Sequence, residues 1–143
     1  MKKRVYGRKL SRGRGARKAL YRSLIKALID HGKITTTKAK VKSIQSDIDK
    51  LITLAKKKSD HSARIVLSKL ANDRKRTKVL LDTIVPSMKD INSGYTKITM
   101  LPKRRGDAAD MATIRWTKDV VEEKKVEEKK VAKKKVSPKK DTK

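Results

Sequence analysis

No acidic residue precedes Asp30. The twenty-nine positions before it carry eleven basic side chains: Lys2, Lys3, Arg4, Arg8, Lys9, Arg12, Arg14, Arg17, Lys18, Arg22 and Lys26. A segment of one sign repels itself and its own copies. It gains most from a dense polyanion, and nucleic acid is the obvious one. Any fold for this chain has to keep that charge outside its core.

The rest of the composition narrows the partner. The 143 residues suit one domain with a modest core, and the net charge of +27 comes from 42 basic and 15 acidic residues. The imbalance runs the length of the chain, which disfavours an acidic protein substrate met at one patch. No apolar run approaches the roughly 20 residues that span a bilayer, and the N-terminus has no apolar core of a secretory signal. An Arg-rich, acid-poor start also has the look of an organellar transit peptide, but here it carries family motifs given below. There is no cysteine, so disulfides and thiolate zinc sites are excluded. The aromatic residues are Tyr6, Tyr21, Tyr95 and Trp116. Base-stacking modules need more exposed rings than that, which argues for backbone and shape contacts.

Along the chain, Met1 to Ala16 is basic, punctuated by Gly7, Gly13 and Gly15, and without apolar period. It reads as an extended arm that orders on its partner, with Gly13 and Gly15 as a flexible hinge. Arg17 to His31 reads as a helix, with Leu20, Leu24, Ala27 and Leu28 on one face, widened by Tyr21 and Ile25. Arg22, Lys26 and Asp30 fall opposite, and Gly32 is placed to end the helix in the left-handed conformation. Ile34 to Thr36 is a brief strand, after which Thr36 or Thr37 caps a helix from about Lys38 to Lys57. Its stripe is Val41, Ile44, Ile48, Leu51, Ile52 and Ala55. Ser59 or Asp60 opens a short helix burying Ile65, Val66, Leu67 and Leu70. Asp73 caps another to about Val85, with Val79, Leu80 and Ile84 inward, and Pro86 stops it. Tyr95 to Leu101 and Met111 to Thr117 read as a hairpin with a basic tip at Lys103, Arg104 and Arg105. Ala112, Ile114 and Trp116 share one face of its second strand.

This order predicts an α+β class: several helices packed on a small three-stranded mixed sheet, with the arm at one end. Three units follow: the arm, 1–16; a domain, 17–117; and a Lys/Glu-rich tail, 118–143. In the tail, Val121, Val126, Val131 and Val136 recur every five residues. Five residues advance a helix by about 500°, so these valines wind around the axis and make no coiled-coil seam. The tail is expected to be disordered or transiently helical.

Enzyme constellations are missing. His31 and His61 are thirty residues apart, with no ligand set at metal spacing. Asp107 and Asp110 fit turn or capping chemistry better than a catalytic pair. No catalytic residue, cofactor, metal or small-molecule substrate is expected. Ser137-Pro138-Lys139-Lys140 resembles minor-groove-binding repeats, but one copy in a Lys-rich tail is a weak signal. What remains is a basic surface divided among several places: the arm (Lys2, Lys3, Arg4, Arg8, Lys9, Arg12, Arg14), the first helix (Arg17, Lys18, Arg22), Lys38, Lys40 and Lys42, then Arg74, Lys75 and Arg76, and last Lys103, Arg104 and Arg105. Cations at termini and loop tips reach separate phosphate strands of a folded RNA. Arginine adds bidentate contacts to lysine's point charge.

Several segments resemble the bacterial large-subunit ribosomal protein seventeen family. They are GRKLSR at Gly7 to Arg12, RKALYRSLIKALIDHGKITTTKAKVKSI at Arg17 to Ile44, KLITLAKK at Lys50 to Lys57, SGYTKI at Ser93 to Ile98, and RRGDAADMATI at Arg104 to Ile114. The matches span about residues 1 to 117 in order and spacing. Two departures stand out: Ala16 where the family usually has histidine, and Ser93-Gly94 where it has a glycine pair. The tail has no counterpart in short members. The resemblance implies a non-enzymatic constituent of the large ribosomal subunit in the bacterial cytoplasm. It implies binding to 23S rRNA beside neighbouring large-subunit proteins, near the polypeptide exit region, with no membrane and no homo-oligomer. A DNA-compacting nucleoid protein is the alternative that the basic tail motivates. An RNA-modifying enzyme would need a cofactor motif that the sequence lacks.

Overall fold

The computed structural model of the chain describes residues 7–118. Helix α1 is Arg14–His31, strand β1 Lys33–Thr37 and helix α2 Lys38–Lys56; α3 is Asp60–Lys69 and α4 Arg74–Val79. A π-helical turn, Leu80–Ile84, joins α4 to a last short turn, α5, Val85–Ser87. Strands β2, Thr96–Leu101, and β3, Met111–Trp116, close the order.

Gly32 ends α1 as its position predicts. It has φ +73°, and its N–H donates to the Leu28 carbonyl at 2.9 Å, a left-handed turn that costs a glycine nothing. The chain then enters β1 directly. Thr37 precedes α2 in extended conformation, and the Lys38 N–H finds the Asp110 carbonyl at 2.9 Å instead of a side-chain cap. Asp73 does cap α4, accepting from the Arg76 N–H at 3.2 Å.

The sheet has the order β1-β3-β2, with β3 central. Both pairings are antiparallel, so the sheet is not the mixed one expected. The reason is that β1 and β2, which run the same way, never touch. β3 lies between them and runs against both. One face of β3, with Ala112, Ile114 and Trp116, is buried under the helices. Helix α2 packs across all three strands and α1 along β1. The Trp116 ring N–H donates to the Leu28 carbonyl at 3.2 Å and ties sheet to helix in the core.

Helix α2 buries the whole stripe Val41, Ile44, Ile48, Leu51, Ile52 and Ala55. At about 1.5–3 kcal/mol for each large apolar side chain, this one helix supplies much of the driving force. Elsewhere burial departs from the expectation. In α1 the core residues are Ile25, Leu28 and Ile29, while Leu20, Tyr21, Leu24 and Ala27 are only half-buried. The buried line is thus i, i+3, i+4 near the C-terminal end, where the helix reaches the sheet. In α3 only the line Ser62–Val66, continued by Leu70, is buried; Ile65 and Leu67 flank it, half-exposed. Val79 is likewise half-buried.

Pro86 does not stop the helix. The Val85 N–H reaches back to the Leu80 carbonyl, a five-residue closure that widens the turn before the proline. Pro86 then sits in the opening positions of α5, where its missing N–H leaves nothing unsatisfied.

Candidate nucleic-acid interface

Helix α1 begins at Arg14, inside the stretch expected to be extended. Gly13 is its N-cap at φ −63° and Gly15 lies within its first turn, so the glycine pair is no hinge. Residues 7–12 approach the helix rather than lead away from it. The Tyr21 hydroxyl donates to the Arg8 carbonyl at 3.3 Å, and the Arg12 N–H donates to the Lys9 carbonyl at 3.1 Å. Gly7, Arg8 and Lys9 share a cleft with Arg17, Tyr21, Ser43, Ser46 and Asp47. Arg14, Arg17 and Lys18 line a neighbouring cleft that also includes Lys69.

The start of α1 is therefore a concentrated positive site. Its N-cap offers no side-chain hydrogen bond, and its first turn has no acidic residue. The free N–H groups and the positive end of the helix dipole face the same region as Arg8, Lys9, Arg12, Arg14, Arg17 and Lys18. Inside the protein this arrangement is unfavourable. Toward a phosphate it is favourable, and the one carboxylate lining the two clefts is Asp47.

Other candidates are placed differently. Arg22 points back into the fold, donating to the Ser68 carbonyl at 3.0 Å and the Lys69 carbonyl at 3.2 Å. It adds a charged donor at the C-terminal end of α3, where the Ser68 carbonyl also accepts the Ala71 N–H at 3.2 Å. Arg76 pairs with Asp30 at 2.8 Å and with Asp73, which also pairs with Lys26 at 3.2 Å. The polar side of α1 expected to be free is thus a seam against α3 and α4. The Arg76 side chain and backbone N–H, with Lys26, hold the Asp73 carboxyl down to about 2, and Asp73 and Asp30 raise Arg76.

At the hairpin tip, Arg104 pairs with Asp107 and its N–H donates to the Ala109 carbonyl at 3.0 Å. The same arginine, helped by the Ala109 N–H, lowers Asp107 to about 2. Turn chemistry accounts for Asp107, while Asp110 is a 3.9 Å partner of Lys38. Lys103 and Arg105 are exposed on the tip; Lys42, Arg74 and Lys75 are exposed on helices, and Lys40 is half-exposed. None of these lines either cleft at the start of α1. Lys2, Lys3, Arg4 and the expected tail beyond Lys118 lie outside the described residues. Among the described residues no three His, Cys, Asp or Glu side chains form a metal site, and no helix is long and apolar enough to cross a membrane.

Three further cations escaped the sequence reading. The register opposes Lys33 to Arg115 and Arg115 to Lys97, so they form one row across the outer face of the sheet. Alternation alone hints at Lys97 and Arg115, each outward on its own strand. That they meet depends on pairing residues far apart in sequence.

Comparison with known proteins gives a consistent result. The family model described as Ribosomal protein L17 matches residues 20–117. Large ribosomal subunit protein bL17 of Coprothermobacter proteolyticus is 45% identical over 118 residues, covering 82% of this chain and all of the relative. The protein of the same name from Chloroflexus aggregans is 45% identical over 80% of this chain and 97% of its own length. That from Lawsonia intracellularis is 38% identical over 88% of this chain and all of its own.

Proposed function

This chain belongs to the ribosomal protein L17 family, and we propose that within the large ribosomal subunit it binds 23S rRNA through the cluster at the start of α1. Its role in the ribosome is structural and not enzymatic, and its place is the bacterial cytoplasm, where the relatives' ribosomes work. The observation that carries the rRNA reading is the uncapped, acid-free first turn of α1, with Arg14, Arg17 and Lys18 lining one cleft there and Arg8, Lys9 and Arg17 the next. Phosphates satisfy its N–H groups, complement its dipole and relieve the repulsion among its cations at once.

The mechanism is electrostatic fastening. Tyr21 holds the chain at Arg8 against α1. At RNA strands that approach there, basic groups replace condensed counterions, which are released to the solution, and the repulsion between the strands falls. Binding then favours rRNA already folded so that its strands converge. Neighbouring large-subunit proteins complete the surroundings; no membrane, small molecule or second copy is required.

Deleting residues 2–12 tests this, because it spares Gly13 and the start of α1. The truncated chain is expected to keep its circular-dichroism spectrum and to be lost from large subunits sedimented at high salt. Undiminished retention in those subunits would remove the arm from the interface.

A further inference from the structure

Among the described residues, all helices lie on one side of the sheet and none packs on the other. The strand register organises that other side into rows. Lys33, Arg115 and Lys97 are directly opposite one another, then Thr35, Thr113 and Thr99 two residues along. Adjacent strands are about 4.8 Å apart, so each row spans roughly 10 Å, and the rows are about 7 Å from each other.

Like charges directly opposite across strands destabilise a sheet. Here three are aligned, all exposed, and none has an ion-pair partner among the described residues. Asp90 pairs with Lys118 at 3.0 Å and Asp110, at the other end of β3, with Lys38 at 3.9 Å. In the next row the Thr35 and Thr113 hydroxyls bond each other at 2.9 Å. A hydroxyl both donates and accepts, so each retains capacity for a further partner.

We propose that this outer sheet face is a second RNA-binding surface, where the Lys33–Arg115–Lys97 row holds the phosphates of one strand and the threonine row meets its ribose 2′-hydroxyls. The proposal rests on the rRNA reading above and adds a contact remote from the arm. Charge decides for a polyanion. The hydroxyl row decides for RNA, since the 2′-hydroxyl is what separates RNA from DNA at such a site. No aromatic side chain lies on this face, so bases are not stacked on it and the contact is to backbone. The third row of this face, Thr37, Met111 and Leu101, is the apolar one and lies at its far edge, so the centre is the hydroxyl row and the charge faces away from the apolar edge. The face fixes an orientation that the arm alone cannot, because two separated phosphate contacts define a line on the RNA.

The test titrates the full-length chain and its K33Q/K97Q/R115Q variant with a short RNA hairpin and its all-deoxy counterpart over a salt series. In the variant, the slope of log affinity against log salt is expected to be shallower by about 2–3. Its thermal midpoint is expected to stay level or rise, since the substitutions remove repulsion. A T99V/T113V variant is expected to lose preference for RNA over DNA while keeping the slope. A K33Q/K97Q/R115Q slope equal to wild type overturns the proposal; if the chain lacking residues 2–12 still loses binding in the same assay, the arm reading survives that failure. Failure of the wild-type chain to bind either probe overturns both. A photo-crosslinker at position 99 in assembled large subunits gives an independent readout: crosslinks to rRNA support the assignment, and crosslinks to protein alone overturn it in favour of an acidic protein partner.

Discussion

Along the seam where α1 meets α3 and α4, cations have partners: Lys26 with Asp73, Arg76 with Asp30 and Asp73, Arg22 with the carbonyls of Ser68 and Lys69. At the start of the same helix, Arg8, Lys9, Arg14, Arg17 and Lys18 have no ion-pair partner among the described residues. One helix thus carries two kinds of positive charge along its length. From Arg22 onward the helix commits its cations to the fold, and before it they have no ion-pair partner among the described residues. Counting basic residues cannot distinguish the two. Only the partners can.

The comparison fails if the two groups respond alike to substitution. The largest effect is expected from R8Q/R12Q/R14Q/R17Q. Its salt slope for RNA should fall by about 3–4 with little change in the melt, since each phosphate contact contributes about 0.7–0.9 to that slope. Arg22→Met keeps the aliphatic stem and removes the donors. It should cost about 1–3 kcal/mol in chemical denaturation, because the α3 carbonyls lose charge-assisted partners, and leave the RNA salt slope unchanged. Arg76→Met should behave in the same sense, lowering the thermal midpoint by leaving Asp30 and Asp73 without their shared cation. An RNA-binding loss in either variant without loss of stability would erase the distinction.

The seam also has a pH signature. Asp73 is held at about 2, below its ordinary 3.8. A depressed carboxyl contributes its full stabilisation above the unfolded value, so this contribution is complete above about pH 4 and fades as pH falls toward 2. Asp73→Asn retains an N-cap acceptor and removes the charge. Its thermal midpoint should sit below wild type near neutral pH, and the two curves should converge by about pH 2. The smallest effect is expected at the hairpin tip. Arg104 and Asp107 are both about half-exposed, with side-chain exposures of 55% and 51%. Arg104→Gln should therefore leave the melt within its experimental error.

How much of this was legible in the sequence depended on distance along the chain. The α2 stripe, the Gly32 turn and the outward alternation of β3 follow from neighbours a few residues apart, and those readings match the structure. Arg22 looked like a free phosphate ligand because its partners, Ser68 and Lys69, are 46 and 47 residues away. Lys33 went unnoticed because Arg115, its cross-strand neighbour, belongs to the far end of the domain. The widened turn before Pro86 had no signature, since proline rules describe a regular helix. Gly13 and Gly15 were misread for the opposite reason: glycine is compatible with a hinge and with an uncapped helix start, and only the surroundings choose.

The sheet order has a consequence for synthesis. β1 and β2 each pair with β3 and not with each other, so neither can join a ladder before residues 111–116 leave the site where the chain is made. Arm and α1 are complete long before that moment. The part of the molecule with the most charge is available first, and the part that locks the domain arrives last. Closing the long loop between β1 and β3 is the slow, entropically costly step, and until it happens the α1–α2 pair has no sheet to rest on. A chain of this design presents its most basic part to a partner while still being made, and finishes folding afterwards.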